Sequence, residues 1–179
     1  GETIRIGYSA QEVPDMATNQ RVIDYIRDVA EYIPTRDGKI SATMMLERFL
    51  FDSAMQYAPI AKLSGGEKRR LYLLKVLMEA PNVLLLDEPS NDLDIPTLTI
   101  LEDYLDSFAG IVIAVSHDRY FLDNIVDRIF AFEGNGHLTQ YEGGYTDYTE
   151  ALARKGGAVS EGQSIAVGAE TVSYTHLRA

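Results

Sequence analysis

The sequence has 179 residues, 46% of them hydrophobic, and a formal net charge of −11. That length suffices for a core of ordinary size, and the apolar share is that of a globular chain rather than a disordered one. The absence of cysteine excludes disulfides and thiolate metal sites and fits a reducing compartment, and an acidic balance excludes attraction of nucleic acid over the whole surface, so any such contact must be local or made by parts outside this sequence.

No apolar run approaches the length needed to cross a bilayer. Residues Gly1-Glu2-Thr3-Ile4-Arg5 have neither the basic region nor the apolar stretch of a signal peptide. Thr3, Arg5 and Gly7 then alternate with Ile4, Ile6 and Tyr8, which predicts a strand with one apolar face. A loop over 9–15 contains Gln11 and the breaker Pro14. Val22, Ile23, Ile26, Val29, Ala30 and Ile33 recur at helical spacing and predict a helix over 19–33, stopped by Pro34. Residues 35–39 read as a polar turn. Ser41 can cap a second helix with Met45, Leu46, Phe49 and Leu50 on its buried face. Met44, Met45 and Met55 read as core filler.

Ser64-Gly65-Gly66-Glu67 is a capping box: the Ser64 hydroxyl can accept from the Glu67 amide, and the Glu67 carboxylate can reach back to the Ser64 amide. The two glycines leave amides unscreened at a helix start, where orphan N–H groups and the helix dipole favour an anion. The helix is expected over 68–80, ended by Pro81. Lys68, Arg69, Arg70 and Lys75 read as a solvated helix face, in preference to a contact with nucleic-acid backbone. Val83-Leu84-Leu85-Leu86 is an uninterrupted apolar run, as in a strand buried on both faces, and it ends in Asp87 and Glu88. Carboxylates at the carboxyl end of a buried parallel strand lie where open α/β sheets bind ligands. An anion-binding helix start followed by a strand-end acidic pair points to phosphate plus metal.

A helix over 95–108 carries Leu98, Leu101, Leu105 and Phe108 on one face and stops at Gly110. A second buried strand over 111–115 ends in Ser116-His117-Asp118. Three consecutive residues cannot converge as a hydrolase triad, so these are not read as one. A helix is expected over 119–125, a strand over 128–133, a turn at Asn135-Gly136, a partner strand over 137–141 and a helix over 145–154. His137 and His176 have no clustered partners, and neither is assigned to metal. From Gly156 onward periodicity is lost, which reads as a flexible tail whose end, 172–179, looks like translated adapter sequence.

These motifs, in this order and spacing, resemble those of the ABC ATPases from about Thr3 to about Leu152. Leu63-Ser64-Gly65-Gly66-Glu67 looks like their signature, and Val83-Leu84-Leu85-Leu86-Asp87-Glu88 like their Walker B strand with its catalytic glutamate. Ser90-Asn91-Asp92-Leu93-Asp94 looks like the D-loop, Ser116-His117-Asp118 like the H-loop, and Gln11 stands at the Q-loop position. The resemblance implies a partial α/β ABC cassette, its mostly parallel sheet flanked by helices. Residues 1–17 would form a strand and the Q-loop, 18–61 a helical subdomain, 62–154 the ATPase core and 155–179 a tail. It also implies ATP and Mg²⁺ as ligands. Asp87 and Gln11 would attend the metal, Glu88 would act as base, His117 would contact the γ-phosphate, and Gln11 and Asp94 would face the ATP. Ser64, Gly65, Gly66 and Glu67 would act on ATP held by a second cassette, in the same chain or as a dimer.

The family's Walker A loop, Gly-x-x-x-x-Gly-Lys-Ser/Thr, has no counterpart: Gly38-Lys39 is followed by Ile40. The chain therefore resembles the C-terminal part of a cassette and is expected to be inactive alone. Ser90-Asn91-Asp92-Leu93-Asp94 and Ser116-His117-Asp118-Arg119-Tyr120-Phe121-Leu122-Asp123 are closest in form to the ABC-F subfamily. Glu133-Gly134-Asn135-Gly136 and Tyr145-Thr146-Asp147-Tyr148 look like the second cassette of its Uup-type members. That branch implies a soluble cytoplasmic ATPase acting on the ribosome in translation. The ATPase subunit of a membrane transporter and a DNA-associated protein stay as alternatives.

Overall fold

The structure is a computed structural model that describes residues 3–10, 12–16, 18–35, 38–91, 93–132, 137–154 and 165–170. Its strands are β1 (Ile6–Ser9), β2 (Tyr32–Thr35), β3 (Gly38–Ser41), β4 (Val83–Asp87), β5 (Ile111–Val115), β6 (Arg128–Phe132), β7 (Leu138–Glu142) and β8 (Ile165–Glu170). Its helices are α1 (Val22–Arg27), α2 (Ala42–Arg48), α3 (Ser53–Tyr57), α4 (Gly65–Met78), α5 (Ile95–Asp106), α6 (Arg119–Ile125) and α7 (Tyr145–Arg154).

Six strands form one sheet in the order β1-β4-β5-β8-β6-β7, and β2 and β3 form a separate hairpin. β1, β4 and β5 pair in parallel, with Gly7 beside Leu84 and Leu84 beside Val112. β8 lies antiparallel to both β5 and β6, so β6 runs with β5 while β7 and β8 run against it. Strands β4 and β5 therefore carry their carboxyl ends, Asp87 and Val115, side by side.

One face of this sheet is packed. Leu84, Leu86, Val112, Ala114, Ile129 and Ala131 are buried there with Leu71, Leu74, Leu77, Leu101 and Phe121 from the helices. Gly7 is needed on this face because a β-carbon would stand 2.9 Å from Pro81 Cγ and 3.0 Å from Val76. The opposite face stays open among the described residues: Ile6 keeps 60% of its surface and Ile113 37%. The expectation that 83–86 and 111–115 are buried on both faces is thus corrected to burial of alternate residues. The apolar face expected of the first strand, Ile4, Ile6 and Tyr8, is the open one.

Residues 18–61 depart from the reading in three places. The helix expected over 19–33 ends at Arg27, and Ile33 and Pro34 belong to β2. Ile33 still reaches the core, so the apolar spacing was met by a helix plus a strand. Pro34 is tolerated because a two-stranded hairpin consists of edge strands. Leu50, expected in the core, has φ 62° and is exposed. It ends α2 in a Schellman arrangement, with Leu50 N–H donating to Glu47 O and Phe51 N–H to Leu46 O. That turn sends Phe51 rather than Leu50 inward. Met44, expected as core filler, is exposed, whereas Met45 is buried.

α4 starts at Gly65 and ends at Met78, with Ala80 in the left-handed region at φ 48° ahead of Pro81. α6 and α7 have the expected bounds, 119–125 and 145–154, and β6 and β7 form the expected antiparallel pair. The expected turn at 135–136 lies outside the described residues. The tail expected to be flexible contributes β8, a correction for 165–170; its other residues beyond Arg154 lie outside the described ones.

Candidate functional site

The start of α4 is built as its residues dictate. Ser64 Oγ accepts from Glu67 N–H at 3.2 Å, and Ser64 N–H donates to Glu67 Oε2 at 2.7 Å. Ser64, Gly65 and Gly66 are exposed, and a β-carbon at Gly65 would meet nothing within 4 Å. Packing within the chain therefore does not require glycine at position 65.

Asp87 closes β4 and Glu88 follows it with φ 48°, a left-handed backbone in a residue that has a β-carbon. Such strain persists where its surroundings impose it. Here the Glu88 N–H donates to Val115 O at 2.8 Å, extending the β4–β5 pairing by one residue. The Glu88 side chain is only 9% exposed and turns toward the end of β5. Its Oε1 lies 3.2 Å from His117 Nε2, and its Oε2 accepts from the His117 N–H at 3.3 Å. The His117 ring remains mostly exposed. Beside it, Ser116 is buried, with its Oγ 3.2 Å from Ser90 Oγ and accepting from Asp118 N–H. Asp118 caps α6 through the amides of Tyr120 and Phe121.

Asp87 accepts from the Tyr8 hydroxyl at 3.3 Å. Loss of water around Tyr8, and next the Asp87 charge, raise that hydroxyl above its usual range. Among the described residues no group of three or more His, Asp or Glu side chains could hold a metal. One strand-end carboxylate nonetheless fits Mg²⁺, which keeps several waters and takes one or two carboxylates along with phosphate oxygens.

Asp94 caps α5, accepting from Thr97 N–H at 3.0 Å and from the Thr97 hydroxyl. The hydroxyl first, then the amide, with the Arg70 charge adding to them, hold the Asp94 carboxyl below its usual range. Arg70 is where the reading of a solvated basic face fails: it is 7% exposed. The sign was present in the spacing, because Arg70, Leu74 and Leu77 lie on one helical stripe and both leucines are buried.

The structure thus joins Glu88 to His117, Asp87 to Tyr8 and Asp94 to Arg70. Ser64 and Glu67 bond to each other rather than to the strand-end carboxylates. Gln11 and Asp92 lie outside the described residues.

Residues 3–91 match the family described as ABC transporter. An uncharacterized ABC transporter ATP-binding protein, YfmR, from Bacillus subtilis is 59% identical over 156 residues, 87% of this chain and 25% of that protein. The ATP-binding protein Uup of Haemophilus influenzae is 40% identical over 153 residues, 86% of this chain and 24% of that protein. The energy-dependent translational throttle protein EttA of the same species is 37% identical over 150 residues, 84% and 27% of the two chains. The chain spans about a quarter of the length of these relatives. Among solved structures, the ATP-binding subunit of an ABC transporter superposes with a TM-score of 0.63 at 16% identity, covering 87% of this chain and 65% of that one. No described helix is long and apolar enough to cross a membrane. With an α/β sheet of the ABC ATPase type, acidic residues at the end of its β4 strand and these relatives, the chain belongs to the ABC-type ATP-binding domains.

Proposed function

We propose that this chain forms the signature and acidic-strand portion of an ATP-hydrolysing cassette in an ABC-F-type protein that acts on the ribosome. The observation that carries the reading is Glu88: a carboxylate shielded from water at a half-buried strand end, held by a strained backbone and facing His117 at 3.2 Å. A base for water attacking a γ-phosphate needs a fixed carboxylate that can accept a proton; His117 holds Glu88, and its own ring, mostly exposed, would be free to meet a phosphate. Asp87 is then the carboxylate for Mg²⁺, which when bound with the nucleotide would offset phosphate charge. Gln11 would complete that side, and Asp94 would face the ATP from the turn after Glu88. Ser64, Gly65, Gly66 and Glu67 would present amides and a hydroxyl to ATP held by a second cassette. That division of labour fits the bare surface at Gly65.

The 179 residues contain no Gly-x-x-x-x-Gly-Lys-Ser/Thr loop, so hydrolysis is assigned to the longer parent and not to this stretch by itself. The ribosome is favoured over a transporter or DNA by the ABC-F form of 90–94 and 116–123 and by the likeness to a protein named as a translational throttle.

The test uses Glu88→Gln in the full-length protein. Single-turnover hydrolysis should fall roughly 10²–10⁴-fold while ATP binding persists, and the protein should stay on ribosomes in ATP-dependent co-sedimentation. Hydrolysis within a few-fold of the unsubstituted protein would remove Glu88 from the base role. Slow hydrolysis without ribosome retention would keep the ATPase and refute the ribosomal target.

A further inference from the structure

Arg70 is a buried cation that its surroundings satisfy poorly. Its Nη1 lies 3.4 Å from Thr97 Oγ1 and 3.9 Å from Asp94 Oδ2, and its Nε is buried with no hydrogen-bond partner. The Phe51 ring faces the guanidinium at 4.8 Å. A buried charge with its nearest carboxylate at that distance is a weak source of stability, and an apolar side chain of similar volume would fill the site at least as well. The placement makes sense through what the guanidinium joins. Phe51 belongs to the turn after α2, Arg70 to α4, the helix that Ser64 caps, and Asp94 and Thr97 to the cap and first turn of α5. Arg70 lies about 9 Å along the axis from Ser64, at about 1.5 Å per residue.

We infer that Arg70 is a positioning residue: by holding the Asp94–Thr97 helix start against α4, it makes the exposed anion-binding start of α4 and the strand-end carboxylates move as one unit. The inference rests on the ATPase reading for its consequence, though its geometry stands apart from it. Arg70 has no contact with Asp87 or Glu88 among those described; its contacts are with Asp94 and Thr97, which follow them in the chain. The planar guanidinium matters, since its Nη1 reaches both Thr97 and Asp94 while its carbon lies over the Phe51 ring, and a compact ammonium offers no such planar face.

The test compares four forms of the full-length protein, unsubstituted, Arg70→Met, Asp94→Asn and the double substitution, and adds Arg70→Lys as a fifth, conservative variant. Arg70→Met should lower kcat by about tenfold or more, with KM for ATP within twofold, because misalignment removes alignment and not binding. The double substitution should be no slower than Asp94→Asn alone, and Arg70→Lys should recover only part of the loss. Arg70→Met with unchanged kcat, or losses that multiply in the double variant, would overturn the inference. The melting temperatures of the same four proteins separate it from the ATPase reading. A double-variant shift that departs from the sum of the two single shifts supports the coupling even if the unsubstituted protein proves to hydrolyse nothing, and strictly additive shifts refute it.

Discussion

The two faces of the sheet are made of similar residues and meet different surroundings. Leu84 and Leu86 are buried in the core, whereas Leu85, between them, is only half-buried, and Ile6 and Ile113 on its side are exposed. An uninterrupted apolar strand shows that neither face favours water, but it does not show which face a given stretch of chain covers. Strand geometry sends neighbours to opposite sides, so adjacent leucines with the same chemistry should differ in what they contribute.

Leu84→Ala should therefore have the largest effect, a loss of about 2–5 kcal/mol from transfer and cavity terms, while Leu85→Ala should cost about 1–2 kcal/mol, in proportion to its partial burial. Urea denaturation of the two variants gives the contrast directly, and equal losses would mean that the open face is covered in solution. Gly7→Ala sharpens the same comparison from the packed side. Its β-carbon would press Pro81 and Val76 at about 3 Å, and overpacking of this kind costs about 1–3 kcal/mol, read as a drop in thermal midpoint. On the open side Ile113→Thr keeps the β-branch and should cost under about 1 kcal/mol. A larger loss in the same melts would place Ile113 against a partner.

The smallest effect concerns the turn beyond the strand end. Because the Asp94 carboxyl is held below its usual range, its contribution is complete above the ordinary Asp value of about 3.9 and is lost as pH falls through the lower folded value. The difference in thermal midpoint between the unsubstituted protein and Asp94→Asn should be flat from about pH 7 down to that value and shrink below it. The side chain is 59% exposed, so solvent screens the effect and keeps it small. A difference that grows on acidification would reverse the assignment.

What was legible in the sequence follows the range of the interactions. The Ser64–Glu67 capping box, the Ser41 cap and the bounds of α6 and α7 depend on groups three or four residues apart, and all are formed as expected. The periodicity from Val22 to Ile33 was real, since both ends reach the core, yet it could not tell one long helix from a helix followed by a hairpin. Local spacing is compatible with both, and the pairing of Tyr32 with Ser41 is a contact between segments. The same limit explains Leu50, whose outward turn is set by the end of α2, and β8, whose place between β5 and β6 leaves no local mark.

By itself the sequence determined the α/β class, the acidic pair at a strand end and the bare, capped helix start, because each is written in residues adjacent along the chain. Tertiary structure alone decided that Glu88 meets His117 across 29 positions and that Arg70 meets Thr97 across 27. It also decided that Arg70 is buried at all. Those contacts depend on parallel strand ends and helix starts brought side by side, and chain-closing geometry of that kind is a property of the packed whole.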